Sequence, residues 1–320
     1  MIKRLTLLTA ALVCNILFTT YATTEQLTEN QQMVHAINAG DIEVVKSLIN
    51  KVDVNFKQDG ISLLEMACFK GYKEIATIFV KNGAVVTNYC MVPVSEQIAL
   101  KEKLLAAGLE VTPLGTLSYV KNASKRKLKC SDLFFLRHGN TFATENKIFT
   151  DIDNNAAFLT PQGKSEIEHI TKEIINIKPD VIITSSLTRC KESMSIVLER
   201  LESEFERAIE IREEKSIRGI SHGNWEGKNK ESLVGEDLLT WFAKWNAYTF
   251  AKAPGGESLA EILARAIDFL DFIDENYPSK KVLVVGHGSF SWALAMLLNV
   301  VPDPAHNDYY IKYGELKKFA

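Results

Sequence analysis

The sequence predicts an α/β fold of three αβα layers built on a mostly parallel sheet, preceded by a small all-α repeat array. Three observations carry that expectation. Short apolar runs at Leu133–Leu136, Val181–Ile183 and Val282–Val285 read as strands buried on both faces. Helical patterns separate these runs, the alternation that yields parallel strands with helices on both sides. Upstream, residues 30–112 repeat a helix–turn–helix pattern that closes at a glycine.

Composition narrows the classes of function. With 320 residues, 46% hydrophobic and 24% charged, the chain can fill the cores of two globular domains. A formal net charge of −3 offers no basic face for nucleic acid. The first residues differ from the rest: Lys3 and Arg4 precede an apolar run from Leu5 to Phe18, and the stretch ends at Ala22. That order describes a secretory signal peptide over residues 1–22. The run is shorter than the ~20 residues a membrane-spanning helix needs. Cleavage near Ala22, export to the periplasm or beyond, and no stable membrane span afterwards are therefore expected, with an uncleaved anchor as the alternative. Cys14 follows Val13, which is too bulky for a good lipoprotein cleavage site. The remaining cysteines, Cys68, Cys90, Cys130 and Cys190, match no zinc spacing. Cys68 and Cys190 stand at small apolar positions of helices and read as reduced core residues.

Within the array, Ala39-Gly40-Asp41-Ile42-Glu43-Val44 aligns with Lys70-Gly71-Tyr72-Lys73-Glu74-Ile75 at an offset of 31 residues. The stretch from Phe79 to Thr87 is echoed from Leu104 to Thr112, a shortened third copy. This pattern resembles ankyrin repeats. Asp59-Gly60-Ile61-Ser62-Leu63-Leu64 looks like the turn that opens a repeat, and Asn82-Gly83-Ala84 like the one that closes it. Ser62-Leu63 stands where Thr-Pro is usual, and two well-formed repeats fall below the three that bury enough surface alone. The array is therefore expected to lean on the next domain. The resemblance implies a surface for a protein partner; a structural cap is the other reading. His35 falls where the first helix packs and reads as structural.

Residues 113–130 read as a basic linker, with Lys121, Lys125, Arg126, Lys127 and Lys129 close together and no apolar period. From residue 131 the second domain begins. Thr160 and Pro161 supply an N-cap and a first-turn proline to open a helix. Ser185 to Cys190 leads from the second strand into another helix, and Ile209-Glu210-Ile211 is a candidate short strand. Between Ser258 and Tyr277, Leu259, Ile262, Leu263, Ala266, Ile267, Leu270 and Ile273 keep helical spacing.

Each buried strand delivers a phosphate-compatible group near its C-terminal end: Arg137 with His138, then Arg189, then His287. Parallel strands put those ends on one edge, where ligands bind in open α/β sheets. Arginine presents a permanent planar fork to anionic oxygens, and a neutral imidazole nitrogen is a nucleophile. Taken singly, Arg189 reads as a surface arginine and His287 as a cap or core histidine. Their recurrence at equivalent strand ends favours one shared anion site.

Six stretches then carry a resemblance: Leu136-Arg137-His138-Gly139, Leu159-Thr160-Pro161-Gln162-Gly163, Ser185-Ser186-Leu187-Thr188-Arg189, Gly223-Asn224-Trp225-Glu226-Gly227, Pro254-Gly255-Gly256-Glu257-Ser258 and Val285-Gly286-His287-Gly288. In this order they resemble the motifs of the histidine phosphatase superfamily, with its phosphoglycerate-mutase-like fold, across residues 131–320. The resemblance implies that His138 attacks phosphorus and carries the phosphoryl group transiently. It gives Arg137, Arg189 and a protonated His287 the task of clamping the equatorial oxygens. It implies no metal and no other cofactor. By the same resemblance Thr141 and Thr150 match positions whose polar side chains lie near the phosphate, Thr144 stands there where many members have Asn, and Gly288 is taken as a further phosphate-binding position.

One departure bears on the substrate. Members acting on alkyl phosphates carry a proton-donating Glu eight residues before the Gly that closes Trp-Glu-Gly. Here that place is Gly219, within Ile217-Arg218-Gly219-Ile220-Ser221-His222. Glycine cannot protonate a leaving alkoxide, help that is typically worth ~10²–10⁴-fold. Three readings stay open. Glu213, Glu214, His222 or Glu226 substitutes for the acid; or the substrate is an aryl phosphate or phosphohistidine that needs none; or the domain binds phosphate without turnover, as a pseudophosphatase and interaction module. The expected partner at the site is a phosphorylated small molecule or phosphoprotein. Mutase chemistry is disfavoured, because it also needs efficient acid–base work.

Overall fold

The computed structural model describes residues 27–87, 91–113, 115–121, 124–151, 156–204, 208–245, 248–300 and 311–320. The proposed signal peptide and Cys90 lie outside these residues. Among the described residues no helix is long and apolar enough to cross a membrane.

The first of two units runs through Ala67 and resumes over Glu74–Ala84. Helices α1 (Glu29–Ala39) and α2 (Ile42–Leu48) form a pair. Thr28 and Gln31 close a capping box over the start of α1, and Gly40 ends it at φ 71°. Strands β1 (Lys57–Gln58) and β2 (Ile61–Ser62) are joined by Asp59 and Gly60 at φ 53° and 83°, a left-handed pair that Asp-Gly adopts readily in tight hairpins. Helices α3 (Leu63–Phe69) and α4 (Lys73–Lys81) follow. Met33, Ile37, Val45, Leu63, Ile75 and Phe79 are fully buried. His35 does not pack as expected; it is exposed. Met33, Val34, Ala36 and Ile37 occupy the buried stripe of α1, and helical geometry turns residue 35 away from it.

The second unit comprises Cys68–Lys73 and Val85–Ala320. The third repeat echo belongs here rather than to the helix pairs. It falls on helix α5 (Val94–Ala106) and on a hairpin of β3 (Leu109–Val111) and β4 (Leu117–Tyr119). Leu104, Leu109 and Leu117 join the second unit's core, so apolar burial draws this segment away from the array. The basic stretch is not a free linker either. Arg126 pairs with Asp271 and Asp274 at 2.8 and 2.7 Å, and the backbone of Lys129 donates to Asp274. Linear charge counting cannot see those acidic partners, which lie 145 residues or more further on.

Along the rest of the chain come β5 (Asp132–Arg137), α6 (Phe142–Glu145), α7 (Pro161–Ile177), β6 (Val181–Ser185), α8 (Thr188–Glu204) and β7 (Glu210–Glu214). After them come α9 (Gly235–Trp245), α10 (Leu259–Asn276), β8 (Lys281–Gly286), α11 (Gly288–Leu297) and β9 (Leu316–Lys318). The sheet order is β7-β6-β8-β5-β9. The first four strands are parallel, and β9 runs antiparallel to β5, which makes the sheet mixed. Successive strand residues face opposite sides. Leu133, Phe135, Ile183, Val282 and Val284 pack with α10 and α11, whereas Leu136, Ile182, Leu283 and Val285 pack with α7 and α8. Three αβα layers result. Thr160 caps α7 through Gly163 N, with Pro161 in its first turn, and Ser258 with Glu261 forms a capping box on α10. Cys68, Cys130 and Cys190 are buried thiols outside any disulfide, and Cys190 Sγ lies 3.4 Å from His287 Nε2.

The turn after β5 is pressed against the start of α7. A Cβ on Gly163 would stand 2.1 Å from the Asn140 carbonyl oxygen, and one on Gly139 would stand 2.2 Å from the Gly163 carbonyl oxygen. Neither contact is sterically tolerable, and both involve backbone, which cannot swing aside. Gly163→Ala should therefore destabilise the fold by about 1–3 kcal/mol, the usual cost of overpacking. Urea denaturation of the variant beside the parent checks this, and equal midpoints would contradict it.

Candidate functional site

Strands β5 and β8 pair in parallel with Arg137 opposite Gly286. The residues that follow, His138 and His287, therefore leave the sheet edge together, with ring centroids 5.2 Å apart. Arg189 reaches them from the first turn of α8, donating from Nε to His287 Nδ1 at 3.3 Å and from Nη2 to the Thr150 carbonyl at 3.4 Å. Arg137 lies over the Tyr313 ring at 3.7 Å and donates from Nη1 to the Ile311 carbonyl at 2.7 Å. Its Nε is buried with no hydrogen-bond partner. Gly288 is the seat for this guanidinium, because a Cβ there would stand 2.9 Å from Arg137 Cζ. His138, Arg189 and His287 are all buried. The four groups expected from separate strand ends do meet.

Hydrogen bonds fix the two tautomers. His138 Nδ1 is 2.8 Å from the Gly139 carbonyl oxygen, which can only accept. Nδ1 therefore carries the proton, leaving a lone pair on Nε2. His287 Nδ1 faces the Arg189 Nε–H, which can only donate, so its proton sits on Nε2, 2.9 Å from Ser185 Oγ. Burial holds the pKa of both imidazoles well below the ordinary range, and the cations Arg189 and Arg137 add to the effect. Among the protein's own groups His138 is a neutral nucleophile, and His287 accepts rather than clamps.

A cavity of about 420 Å³ opens over this cluster. Thr141 and Thr144 line it and bond each other at 3.0 Å, and Thr144 Oγ1 donates to Tyr313 Oη at 3.2 Å. Thr150 also lines it and supplies its carbonyl to Arg189. Gly219 forms part of the wall, where a Cβ would meet His287 Cγ at an ordinary 3.5 Å. The proposed substitute acids part company. Glu213 and Glu214 do not line the cavity: they lie at the end of edge strand β7, where Glu213 pairs with Lys191 at 2.9 Å and Glu214 accepts from Ser216 N at 3.1 Å. His222 does line it, stacked on Phe149 with centroids 4.8 Å apart. Burial and the nearby Lys244 and Lys230 push its pKa down to about 3. Glu226 does not line the cavity; its carboxylate accepts from Asp151 N and His222 N at 2.9 and 3.2 Å. Burial and the neighbouring Asp151 carboxyl push its pKa up to about 7.

Several contributors were missing from the sequence reading. Tyr313, Lys230, Trp241, Lys244 and Trp292 all line the cavity. Arg265 supports its wall by pairing with Glu257 at 2.8 Å and donating to the Gly219 carbonyl at 3.0 Å. None of these sits at a strand end. The one available signal was Lys230, three residues beyond the Trp-Glu-Gly stretch.

Two imidazoles and two guanidiniums meet at a parallel sheet edge beneath a cavity, an arrangement in an α/β protein that can hold an anion such as a phosphoryl group beside an imidazole nitrogen. The profile of the histidine phosphatase superfamily (branch 1) matches residues 133–319, and the chain belongs to that superfamily. Membership supports phosphatase-type chemistry in general. The 2,3-bisphosphoglycerate-dependent phosphoglycerate mutase of Bradyrhizobium diazoefficiens is 29% identical over 176 residues, covering 52% of this chain and 80% of that protein. Its counterpart from Azorhizobium caulinodans is 30% identical over 173 residues, covering 52% and 80%. Among solved structures, Bacillus stearothermophilus YhfR aligns with a TM-score of 0.51 at 23% identity, covering 58% of this chain and 89% of that one. That likeness is one of fold.

The depressed imidazole pKa values have a consequence for stability. Below the ordinary value of 6.5 the unfolded chain binds protons that native His138 and His287 refuse. Their contribution is therefore complete above pH 6.5 and is lost on acidification, by about 1 kcal/mol per pH unit for each histidine. Replacing His138 by Asn should make this acid-side decline shallower by one such increment. Urea unfolding at a series of pH values measures the slopes; identical slopes would mean that native His138 is protonated.

Proposed function

We propose that the second unit is a metal-independent phosphatase that hydrolyses a phosphomonoester or phosphoramidate, of the aryl phosphate or phosphoprotein type, through a phosphohistidine at His138. The observation that carries this reading is the free Nε2 lone pair of His138 at the cavity floor, with Gly219 in place of an acid above it. Attack by Nε2 forms the P–N bond as the ester or amide bond to phosphorus breaks. The proton on Nδ1 stays with the ring, and the Gly139 carbonyl stabilises the resulting phosphoimidazolium. Arg137 and Arg189 hold the equatorial oxygens, which gain charge density in the transfer. A phosphate dianion beside His287 raises that ring's proton affinity and converts Nδ1 from acceptor to donor. Water then attacks the phosphohistidine and returns Nε2 to its lone pair.

The leaving group must depart without strong proton donation, because no carboxylate of the described residues lines the cavity. This favours leaving groups of low basicity over mutase chemistry. For the remainder of the chain, we propose that the helix pairs of the first unit are ankyrin-like and bind a protein partner. Residues 1–22 are proposed to direct export.

Turnover of aryl phosphates with graded leaving-group pKa tests the central reading. Activity should vanish in His138→Ala and should fall steeply as the leaving group becomes more basic. Gly219→Glu, whose Cβ has ordinary room beside His287, should flatten that dependence and raise turnover of the poorest leaving groups by ~10²-fold or more. Absence of His138-dependent turnover on every donor would replace the enzyme reading with that of a phosphate-binding interaction module.

A further inference from the structure

The cavity carries more positive charge than a single phosphate requires. Besides Arg137 and Arg189, both Lys230 and Lys244 line it, and among the described residues no Asp or Glu does. Lys230 holds its ammonium over the Phe149 ring, 5.6 Å from the centroid, and has no hydrogen-bond acceptor among the described residues. Its pKa is lowered, by burial first and then by Arg137, so its charge belongs to the same field as the phosphate pole. Lys244 extends from α9 and is steadied by the Glu257 carbonyl at 2.5 Å. His222 stacks on the same Phe149, and its Nδ1 is buried without a partner. The carboxyl groups behind His222 do not balance the two lysines, since Asp151 is already paired with Arg218 at 3.1 Å and Glu226 is engaged by backbone N–H groups. Lys230 and His222 thus share one aromatic face, that of Phe149, and Lys244 lines the same cavity. Another part of the wall is apolar, formed by Trp241, Leu259, Ile262 and Trp292. Trp292 is 5% exposed, and its Nε1–H has no partner.

We propose that the substrate is an organic diphosphate with an apolar or aromatic tail, cleaved at its phosphoanhydride bond. His138 takes the terminal phosphoryl group, while Lys230, Lys244 and His222 receive the inner phosphate. This rests on the phosphohistidine reading above and goes beyond its monoester and phosphoramidate classes by giving the reaction a phosphate leaving group. His138 Nε2 bonds to the terminal phosphorus as the bond from that phosphorus to the bridging oxygen breaks. The electron pair passes to the bridging oxygen, which becomes an oxygen of a departing phosphate monoester. The second pKa of such a group is about 6, so it leaves as a dianion and needs no proton at neutral pH. An alkoxide would need one. Gly219 in place of an acid and the surplus of lysines therefore have one explanation: the leaving group is neutralised by fixed cations instead of being protonated. In the second half-reaction a water oxygen bonds to phosphorus, the P–N pair returns to Nε2, and the water's proton leaves with orthophosphate or solvent. The apolar part of the wall takes the tail, and the Trp292 Nε1–H offers one hydrogen bond to it or to the inner phosphate.

The full chain should be assayed with geranyl diphosphate, geranyl phosphate and 4-nitrophenyl phosphate, with orthophosphate and geranyl phosphate quantified as products. The proposal expects kcat/KM for the diphosphate to exceed that for the monophosphate by at least ~10²-fold, since only the monophosphate needs the missing acid. Lys230→Met should reduce that ratio by roughly tenfold or more, the scale of a lost charge-assisted hydrogen bond, and Lys230→Arg should restore most of it. A parent ratio near one, or a ratio unchanged in Lys230→Met, overturns the proposal. If 4-nitrophenyl phosphate is hydrolysed under those outcomes, the phosphatase reading survives and only the diphosphate assignment falls. If none of the three is hydrolysed, both fall together.

Discussion

The register between β5 and β8 is the constraint on which the site depends. Because Arg137 stands opposite Gly286, the chain turns out of both strands at the same level, and His138 N donates to the Gly286 carbonyl at 3.0 Å. Glycine is required at 286 for a packing reason: a Cβ there would stand 2.7 Å from the Phe135 ring tip. Two glycines on one strand-to-helix turn thus do different tasks. Gly286 admits the core ring beneath the sheet edge, and Gly288 admits the Arg137 guanidinium above it. A slip of one residue would exchange the faces of every side chain on the strand and would part the two imidazoles.

The guanidinium groups near this edge serve two ends. Arg265 is fully engaged, with Glu257, Ser216 and Gly219 around it, and it fixes the backbone of the cavity wall. Arg137 has instead a carbonyl, an aromatic face and an Nε with no partner. Both arginines are only half-buried, and incomplete pairing of a charge is costly in a low-dielectric setting. Burial first, and the neighbouring guanidinium groups after it, keep both imidazoles neutral.

What could be read from the sequence follows from where the signals are local. The three central strands are continuous apolar runs, and the residues at their ends are fixed by one short stretch each. Arg137, His138, Arg189 and His287 were therefore legible. Edge strands are harder: only the first residues of β7 were legible, as the candidate strand at Ile209-Glu210-Ile211, since β7 reads Glu-Ile-Arg-Glu-Glu, and β9, Leu-Lys-Lys, gave no signal. Charge on an edge discourages pairing with other chains, and it also erases the apolar pattern by which a strand is recognised. The third repeat echo misled for the converse reason. Leu104 and Leu109 keep the expected spacing, but periodicity cannot say which core they enter. Lys230, Lys244 and Tyr313 arrive from separate loops and helices, and their convergence is a property of tertiary packing alone.

Strand β9 and the residues before it give the site an unusual dependence on time. Tyr313 stacks on Arg137, Ile311 accepts from it across a separation of 174 residues, and Leu316 pairs with Leu136. During vectorial synthesis β5 emerges well before this segment, and its outer edge stays open and its arginine unseated until the segment follows. Contacts between such distant partners form slowly, because a long loop must be closed before they stabilise anything. The outer side of β5 is thus closed only after the whole intervening stretch has been made. A nascent chain halted before β9 would carry His138 at the end of a strand paired on one side alone, with Arg137 lacking its Ile311 and Tyr313 contacts.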